Sequence, residues 1–445
     1  MNDTIFALST GFVKSAIAIV RVSGENSLNS LYTLTKRNNF VSSKANLLKL
    51  YDENDLIIDE AIVLVFLNGS SYTGENLVEY HIHGSIAVIK KLIDYLAKQH
   101  NHRLAEKGEF TKRSLLNNKI DVIKAEGILD LIDSETEIQR KQSINQLDGN
   151  VKNIYQEIYE KLKNLLALNE TMIDFSDQDI DEDFEKKIFE EVKEIHNKLQ
   201  QATINYKKIT KLKKGINIAI IGNTNVGKSS LINYITNEET SIVSKIDGTT
   251  RDVINSYIDF EGYPINIMDT AGIRNTRDEI EKIGVHKSKE KAEQSDINIL
   301  IVDNNNFENS FNTIKEFINE KSIIIVNKID LENKKYIDEK NINFKNIVYV
   351  SILENKNMDN FHQTLLKKIK EIFETKENPI ILHERTNNIS INCLKYLEDF
   401  LNNKNDVVIN SYNLKLAINE LGKILGYVGV EDILDIIFSK FCIGK

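Results

Sequence analysis

Apolar positions change their spacing three times along the chain. From about Asp3 to Leu116, short apolar runs are mixed with helical spacing. Ala16–Val22 and Ala61–Phe66 read as buried strands and Ile86–Ala97 as a helix, which together predict a small α/β domain. From about Asp121 to Lys211 the apolar residues recur every three or four positions with no strand between them. Ile123, Ile128, Leu131 and Ile132, then Ile154, Ile158, Leu162, Leu165 and Leu166, carry this pattern, which predicts long helices. Residues 216 to 375 alternate strand and helix, as a parallel sheet requires. Helical spacing returns from about Ile389 to Phe441. Two helical stretches flanking a complete α/β unit predict one helical domain with that unit inserted, two separate bundles being the alternative. The expected fold class is multidomain, α+β and α/β, divided at residues 1–117, 118–211, 212–376 and 377–445.

Composition narrows this picture only a little. A chain of 445 residues has room for two or three domains, each with its own core. A formal net charge of −9 argues against nonspecific coating of nucleic acid, though a local basic patch remains compatible with it. Two cysteines, Cys393 and Cys442, give no disulfide framework and point to a reducing cytosol. No apolar run reaches the ~18 residues of a membrane span. The start, Met1-Asn2-Asp3-Thr4-Ile5-Phe6-Ala7, has none of the basic, apolar or Arg/Ser-rich character of a targeting peptide.

The chemistry is concentrated in the α/β unit. Gly222-Asn223-Thr224-Asn225-Val226-Gly227-Lys228-Ser229 fits G-x-x-x-x-G-K-[ST], between an apolar run, Ile216–Ile221, and a helix start, Ser230-Leu231-Ile232-Asn233-Tyr234. The glycines let backbone N–H groups turn inward onto phosphates. The helix N-terminus adds positive potential, Lys228 reaches the outer phosphates and Ser229 offers a hydroxyl to Mg²⁺. Three shorter signals follow in order. Asp247-Gly248-Thr249-Thr250-Arg251-Asp252 lies where a switch loop belongs, with Thr250 as the second Mg²⁺ hydroxyl. Asp269-Thr270-Ala271-Gly272 ends a strand; Asp269 can hold Mg²⁺ through water, and the Gly272 N–H can meet the γ-phosphate. Asn327-Lys328-Ile329-Asp330 ends the next, and its aspartate can accept two hydrogen bonds from guanine N1–H and the exocyclic amine, which adenine cannot supply. Four motifs in this order predict a GTPase. Ile273 stands where many small GTPases place the glutamine that orients the attacking water, and no arginine finger can be assigned. Another source of transition-state charge is therefore expected, worth ~10³–10⁵ in rate when an arginine supplies it, or about 4–7 kcal/mol. After Val348-Tyr349-Val350, the guanine-contact loop reads Ser351-Ile352-Leu353 where Ser-Ala-Lys is common, so a lysine contribution is missing there.

Other signals have bland readings. The acidic run Asp177–Asp183 lacks the glycine and closing glutamate of a calcium loop and reads as a solvated loop or helix start. Asn304–Asn306 reads as a loop. His81-Ile82-His83 puts two imidazoles on one strand face, without a third metal ligand nearby, so a pocket or core histidine is the better reading. Cys393 reads as a helix-core thiol. Cys442-Ile443-Gly444-Lys445 fits a prenylation box poorly.

Residues 216–375 resemble the GTPases that include Era and Der. The ends of the chain carry a more specific likeness. Phe441-Cys442-Ile443-Gly444-Lys445, Arg21-Val22-Ser23-Gly24, Tyr72-Thr73-Gly74-Glu75-Asn76, and Gly108-Glu109-Phe110-Thr111-Lys112-Arg113 with Asn117-Asn118-Lys119 resemble the tRNA uridine-modification GTPase family called MnmE or TrmE, over essentially the whole chain. That resemblance implies an N-terminal domain with a tetrahydrofolate-binding fold that also dimerises, and a GTPase domain carried by a two-segment helical domain. It implies cytoplasmic action on tRNA with a partner, MnmG, that uses FAD and NADH. The pair modifies C5 of the wobble uridine to an aminomethyl or carboxymethylaminomethyl group, with a folate derivative supplying one carbon. By the same resemblance Arg21, Glu79 and Lys119 contact folate, with Lys445 near them. K⁺ activates the GTPase and lets two G domains dimerise; its ligands map to Asn225, Ser244, Ile246 and Thr249. Glu281 maps to the glutamate that positions the attacking water, whereas its own sequence context reads equally as a solvated helix residue. Cys442 would lie near the folate, a packed or exposed thiol being as good a reading.

Overall fold

The computed structural model describes residues 3–174, 182–238, 255–268, 289–331, 346–373, 379–403, 406–428 and 437–445. It divides into two compact units, Met1–Ile132 with Ile144–Lys193 and Asn392–Lys445, and Asp133–Ser143 with Glu194–Ile391. In chain order the first elements are β1 (Thr4–Leu8), β2 (Ile17–Ser23), α1 (Ser27–Thr35), β3 (Asn46–Tyr51), β4 (Ile57–Phe66), β5 (Leu77–His83), α2 (Ile86–Ala97), β6 (His102–Leu104) and α3 (Glu109–Leu116). Four helices follow: α4 (Val122–Ile132), α5 (Glu137–Leu147), α6 (Asn150–Asp174) and α7 (Glu182–Lys214).

The first sheet has the order β3-β4-β5-β2-β1-β6 and is antiparallel except for the β1–β6 pair. Helices α1 and α2 cover one face. Leu31, Leu34, Ile89, Leu92 and Leu96 pack there on Val20, Val22, Val63, Val78 and Tyr80, each aliphatic side chain contributing about 1.5–3 kcal/mol by burial. The other face is open only in part: Ile17 is 60% and Ile62 46% exposed, whereas Ile5 and Ala7 on β1 are buried there with Ala105 and Phe110. The strands expected to be buried throughout therefore alternate, because an antiparallel sheet needs only one face covered.

In the same unit α3 is pinned by Arg113, whose guanidinium is buried among Asp3, Glu75 and Glu109. Val122, Ile437, Phe438 and Phe441 form a small core beside it. There Gly108, at φ +66°, comes so close that a Cβ would meet the Phe438 carbonyl oxygen at 2.9 Å.

The chain continues through β7 (Ile216–Ile221), α8 (Lys228–Glu238), β8 (Asn255–Phe260), β9 (Tyr263–Met268), β10 (Ile297–Asp303), α9 (Phe307–Ile314), β11 (Ser322–Asn327), β12 (Ile347–Tyr349) and α10 (Met358–Phe373). The second sheet runs β12-β11-β10-β7-β9-β8. All of its pairs are parallel except the last, β8–β9, which is a hairpin turning at Glu261 and Gly262. The all-parallel expectation is corrected at that edge. Both faces of the central strands are buried, one under α8 and α10, the other under Ala292, Ile314 and Phe317.

Two last helices, α11 (Glu384–Asn402) and α12 (Val407–Leu425), lead to the tail. Asp406 caps α12 by accepting from the Val408 and Ile409 N–H groups, and Gly426 ends it in the left-handed region. Asn169 on α6 donates to the Val407 carbonyl and the Ser411 hydroxyl, both at 2.8 Å, which fixes the α6–α12 register. Among the described residues no helix is long and apolar enough to cross a membrane.

Candidate nucleotide and arginine sites

The phosphate loop lies at the carboxyl end of β7, and Lys228 opens α8. Asn225 and Lys328 both have left-handed backbones, at φ +64° and +70°. Gly227, at φ +109°, could not carry a side chain: a Cβ would stand 2.4 Å from Nδ2 of Asn327. The Lys228 ammonium donates to the Gly222 and Asn223 carbonyls at 2.8 and 2.5 Å, so the lysine spans the loop it belongs to. Ser229 and Ser230 are exposed in the first turn of α8, and Val226 is buried.

Asn327 joins two loops rather than facing outward. Its amide donates to the Val226 carbonyl at 2.8 Å and accepts from the Ile352 N–H at 3.1 Å. Asp330 is the group left unfinished. The Ser351 hydroxyl, together with the nearby Lys356 and Lys328 charges, holds its carboxyl below the usual range despite some desolvation. Its Oδ1 is nevertheless buried and has no hydrogen-bond partner among the described residues. An orphaned carboxylate oxygen beside a clamped phosphate loop fits the N–H edge of a guanine.

Two residues here were missed by the sequence reading. Lys356 pairs through backbone hydrogen bonds with Ser351 and brings an ammonium toward Asp330, while Leu353, where a lysine is common, is 91% exposed. Asp303, at the end of β10, pairs with Lys328 at 2.6 Å. Neither follows from motif spacing, although an acid ending the strand before the Asn-Lys-x-Asp strand was a visible signal. Asn304, expected in a loop, is in one but is buried, and its N–H donates to the Asn327 carbonyl. Ser244, Lys245, Ile246, Asp247, Gly248, Thr249, Thr250, Asp269, Thr270, Ala271, Gly272 and Glu281 lie outside the described residues, as does most of the acidic run from Asp177.

In the N-terminal sheet, Arg21 on β2 and Glu79 on β5 are directly opposite in register, and Arg21 Nε donates to Glu79 Oε1 at 2.8 Å. The guanidinium also lies 5.9 Å from the Tyr72 ring centroid and 5.8 Å from that of Phe110, within cation–π reach of both. The tail closes on it. Arg21 and the Ser9 hydroxyl both donate to the Gly444 carbonyl, and Ile443 bridges to Lys107. Burial and the Arg21 charge push the Lys445 ammonium below its ordinary value. Lys119 is spoken for differently, its ammonium donating to the Gly69 carbonyl at 2.7 Å. His81 lies on the same strand face, 3.6 Å from Glu79, and His83 pairs with Asp59. Among the described residues no three His, Cys, Asp or Glu side chains gather to hold a metal ion. Cys393 is buried and its thiol pushed up by burial, while Cys442 is exposed.

Comparison with known proteins places the chain in a family. Residues 4–119 match the model of the GTP-binding protein TrmE N-terminus, and residues 122–442 that of the MnmE helical domain. A protein of Orientia tsutsugamushi named tRNA modification GTPase MnmE is 40% identical over 451 residues, covering 100% of both chains. Proteins of the same name from Pelagibacter ubique (41% identical, 99% of this chain and 100% of its own) and Anaplasma marginale (37%, 100% and 99%) are similar throughout. The solved G domain of the T. maritima FeoB iron transporter aligns over 36% of this chain and 99% of its own, at 26% identity and a TM-score of 0.27.

Proposed function

The chain belongs to the family of tRNA modification GTPases named MnmE, and on that basis we propose that it hydrolyses GTP in the course of modifying tRNA. The observation that carries the guanine part is Asp330, with one oxygen engaged by Ser351 and the other buried and unmatched. Val226, Gly227, Lys228, Ser229 and Ser230 wrap the phosphates, with the Lys228 ammonium moving from the loop carbonyls to the outer phosphate oxygens. Ser229 and Thr250 would hold Mg²⁺, which when bound neutralises phosphate charge. Replacing Asp330 by Asn should move nucleotide preference from GTP to XTP, because the xanthine edge offers a carbonyl where guanine has an amine. Equal GTP affinity in Asp330→Asn would overturn the guanine assignment.

The finer reading extends what the residues support. Asn225, exposed on the phosphate loop, with Ser244, Ile246 and Thr249, would bind K⁺, whose charge serves where no arginine finger is assigned. Glu281 would orient the attacking water. Hydrolysis should then be faster in K⁺ than in Na⁺ by at least tenfold, a fraction of the ~10³-fold lower end for an arginine finger, and Asn225→Ala should erase the difference. Equal rates in the two salts would end this role. Arg21, with Tyr72 and Phe110 beside it, Glu79 and the tail suit a folate derivative, whose heteroaromatic ring and carboxylates match aromatic and cationic partners. The division at 1–117, 118–211, 212–376 and 377–445 gives this ligand its own domain, and the exposed Ile17 and Ile62 on the open sheet face favour homodimerisation there. With the FAD-containing MnmG as partner, the assembly would modify the wobble uridine.

A further inference from the structure

Asp303 and Lys328 belong to no motif in common, yet they meet at the carboxyl ends of β10 and β11, where Asp303 and Asn327 are register neighbours. Both oxygens of Asp303 are used: Oδ1 accepts from the Asn305 N–H at 2.9 Å, and Oδ2 from the Lys328 ammonium at 2.6 Å. The first bond fixes the carboxylate on its own turn. The second fastens a lysine whose backbone sits in the left-handed region, disfavoured for a residue with a side chain. Such a conformation persists only where its surroundings over-determine it. Here the neighbours on each side are held as well, Asn327 through Val226 and Ile352, and Asp330 through Ser351.

We infer that Asp303 is a positioning residue for guanine recognition: it holds Lys328, and with it the turn that presents Asp330 to the base. The inference rests on the guanine reading above and adds a residue from a neighbouring strand. Two alternatives compete with it. The pair could be an ordinary surface ion pair, worth little where Lys328 is one-third exposed, or a purely structural tie between strands.

The test uses the full chain and fluorescent mant-GDP, with GDP and IDP as competitors. Asp303→Asn keeps the shape and the acceptor for Asn305 but removes the charge. It should weaken mant-GDP about fivefold, the order of one charge-assisted contact. It should also narrow the preference for GDP over IDP, since a loosened Asp330 reads the 2-amino group less well, while kcat at saturating GTP stays unchanged. Asp303→Glu should restore part of both. Asp303→Asn added to Lys328→Gln should cost nothing beyond Lys328→Gln alone. Unchanged affinity and discrimination in Asp303→Asn would overturn the inference and leave a surface pair. A lower melting temperature, with additive losses in the double variant, would overturn it in favour of a structural tie. If the unsubstituted protein failed to bind mant-GDP, the guanine reading itself would fall.

Discussion

The two six-stranded sheets solve the same burial problem in opposite ways. In the nucleotide unit every residue of β11 is buried, and all of β10 but its last. Its chemistry has been pushed off the sheet into loops at the strand ends, as open parallel sheets require. In the N-terminal unit β2 and β4 bury alternate residues, and the face away from α1 and α2 carries the site: Arg21 and Glu79 are cross-strand neighbours there, partly covered by Tyr72, Phe110 and the tail. A doubly covered sheet can carry function only at its rim, whereas a half-covered one can carry it on its face.

The largest effect should come from filling the rim. Gly227→Ala places a Cβ on Asn327 and forces an alanine to φ +109°, so GTP binding should fall by at least a hundredfold while binding of the folate derivative proposed for the face is unchanged. Titration of both ligands checks this, and parallel losses would mean that the two sites are not separable. Next is the contrast between a doubly and a singly covered strand. Ile299→Ala, at a fully buried position, should cost about 2–5 kcal/mol in denaturant unfolding. Ile62→Ala on the open face should cost about 0.5 kcal/mol or less in the monomer. Similar losses would refute the asymmetry.

The smallest effect is in pH dependence, where the two units should fail at opposite ends. Burial would raise Glu109, but hydrogen bonds from Arg103, the Glu106 N–H and Arg113 outweigh it and hold the carboxyl below its ordinary 4.5. Its stabilisation is therefore present above about pH 4.5 and lost as pH falls through the depressed folded value. Burial pushes Tyr257 up to about 12 against the hydrogen bond with Gln139. Its contribution is complete below pH 10 and lost on rising toward 12. Melting curves of Glu109→Gln and Tyr257→Phe should flatten the acid and alkaline limbs respectively. A flattened limb at the wrong end would contradict these assignments.

How much of this could be read beforehand follows the same division. The phosphate loop was legible because its glycines and lysine are local, and helix Ile86–Ala97 because its period is. The open face was not, since Ile17 and Ile62 are apolar yet exposed and read as core. The antiparallel edge had a signal in Glu261-Gly262, whose positive φ values make a hairpin turn. The pairing of Arg21 with Glu79 was available only through family likeness, because cross-strand register leaves no mark in spacing. Asp303 and Lys356 reach the base-reading turn from a neighbouring strand and a following loop, which motif order does not disclose.

Ser9 and Gly444 are hydrogen-bonded although 435 positions separate them. A ribosome releases the arginine face long before it releases the segment that closes over it. The face must therefore remain unclosed through the synthesis of everything between. A chain cut before Gly444 would leave Arg21 without the carbonyl it donates to. Closure of that surface thus waits on a segment 435 positions away from the strand turn it covers.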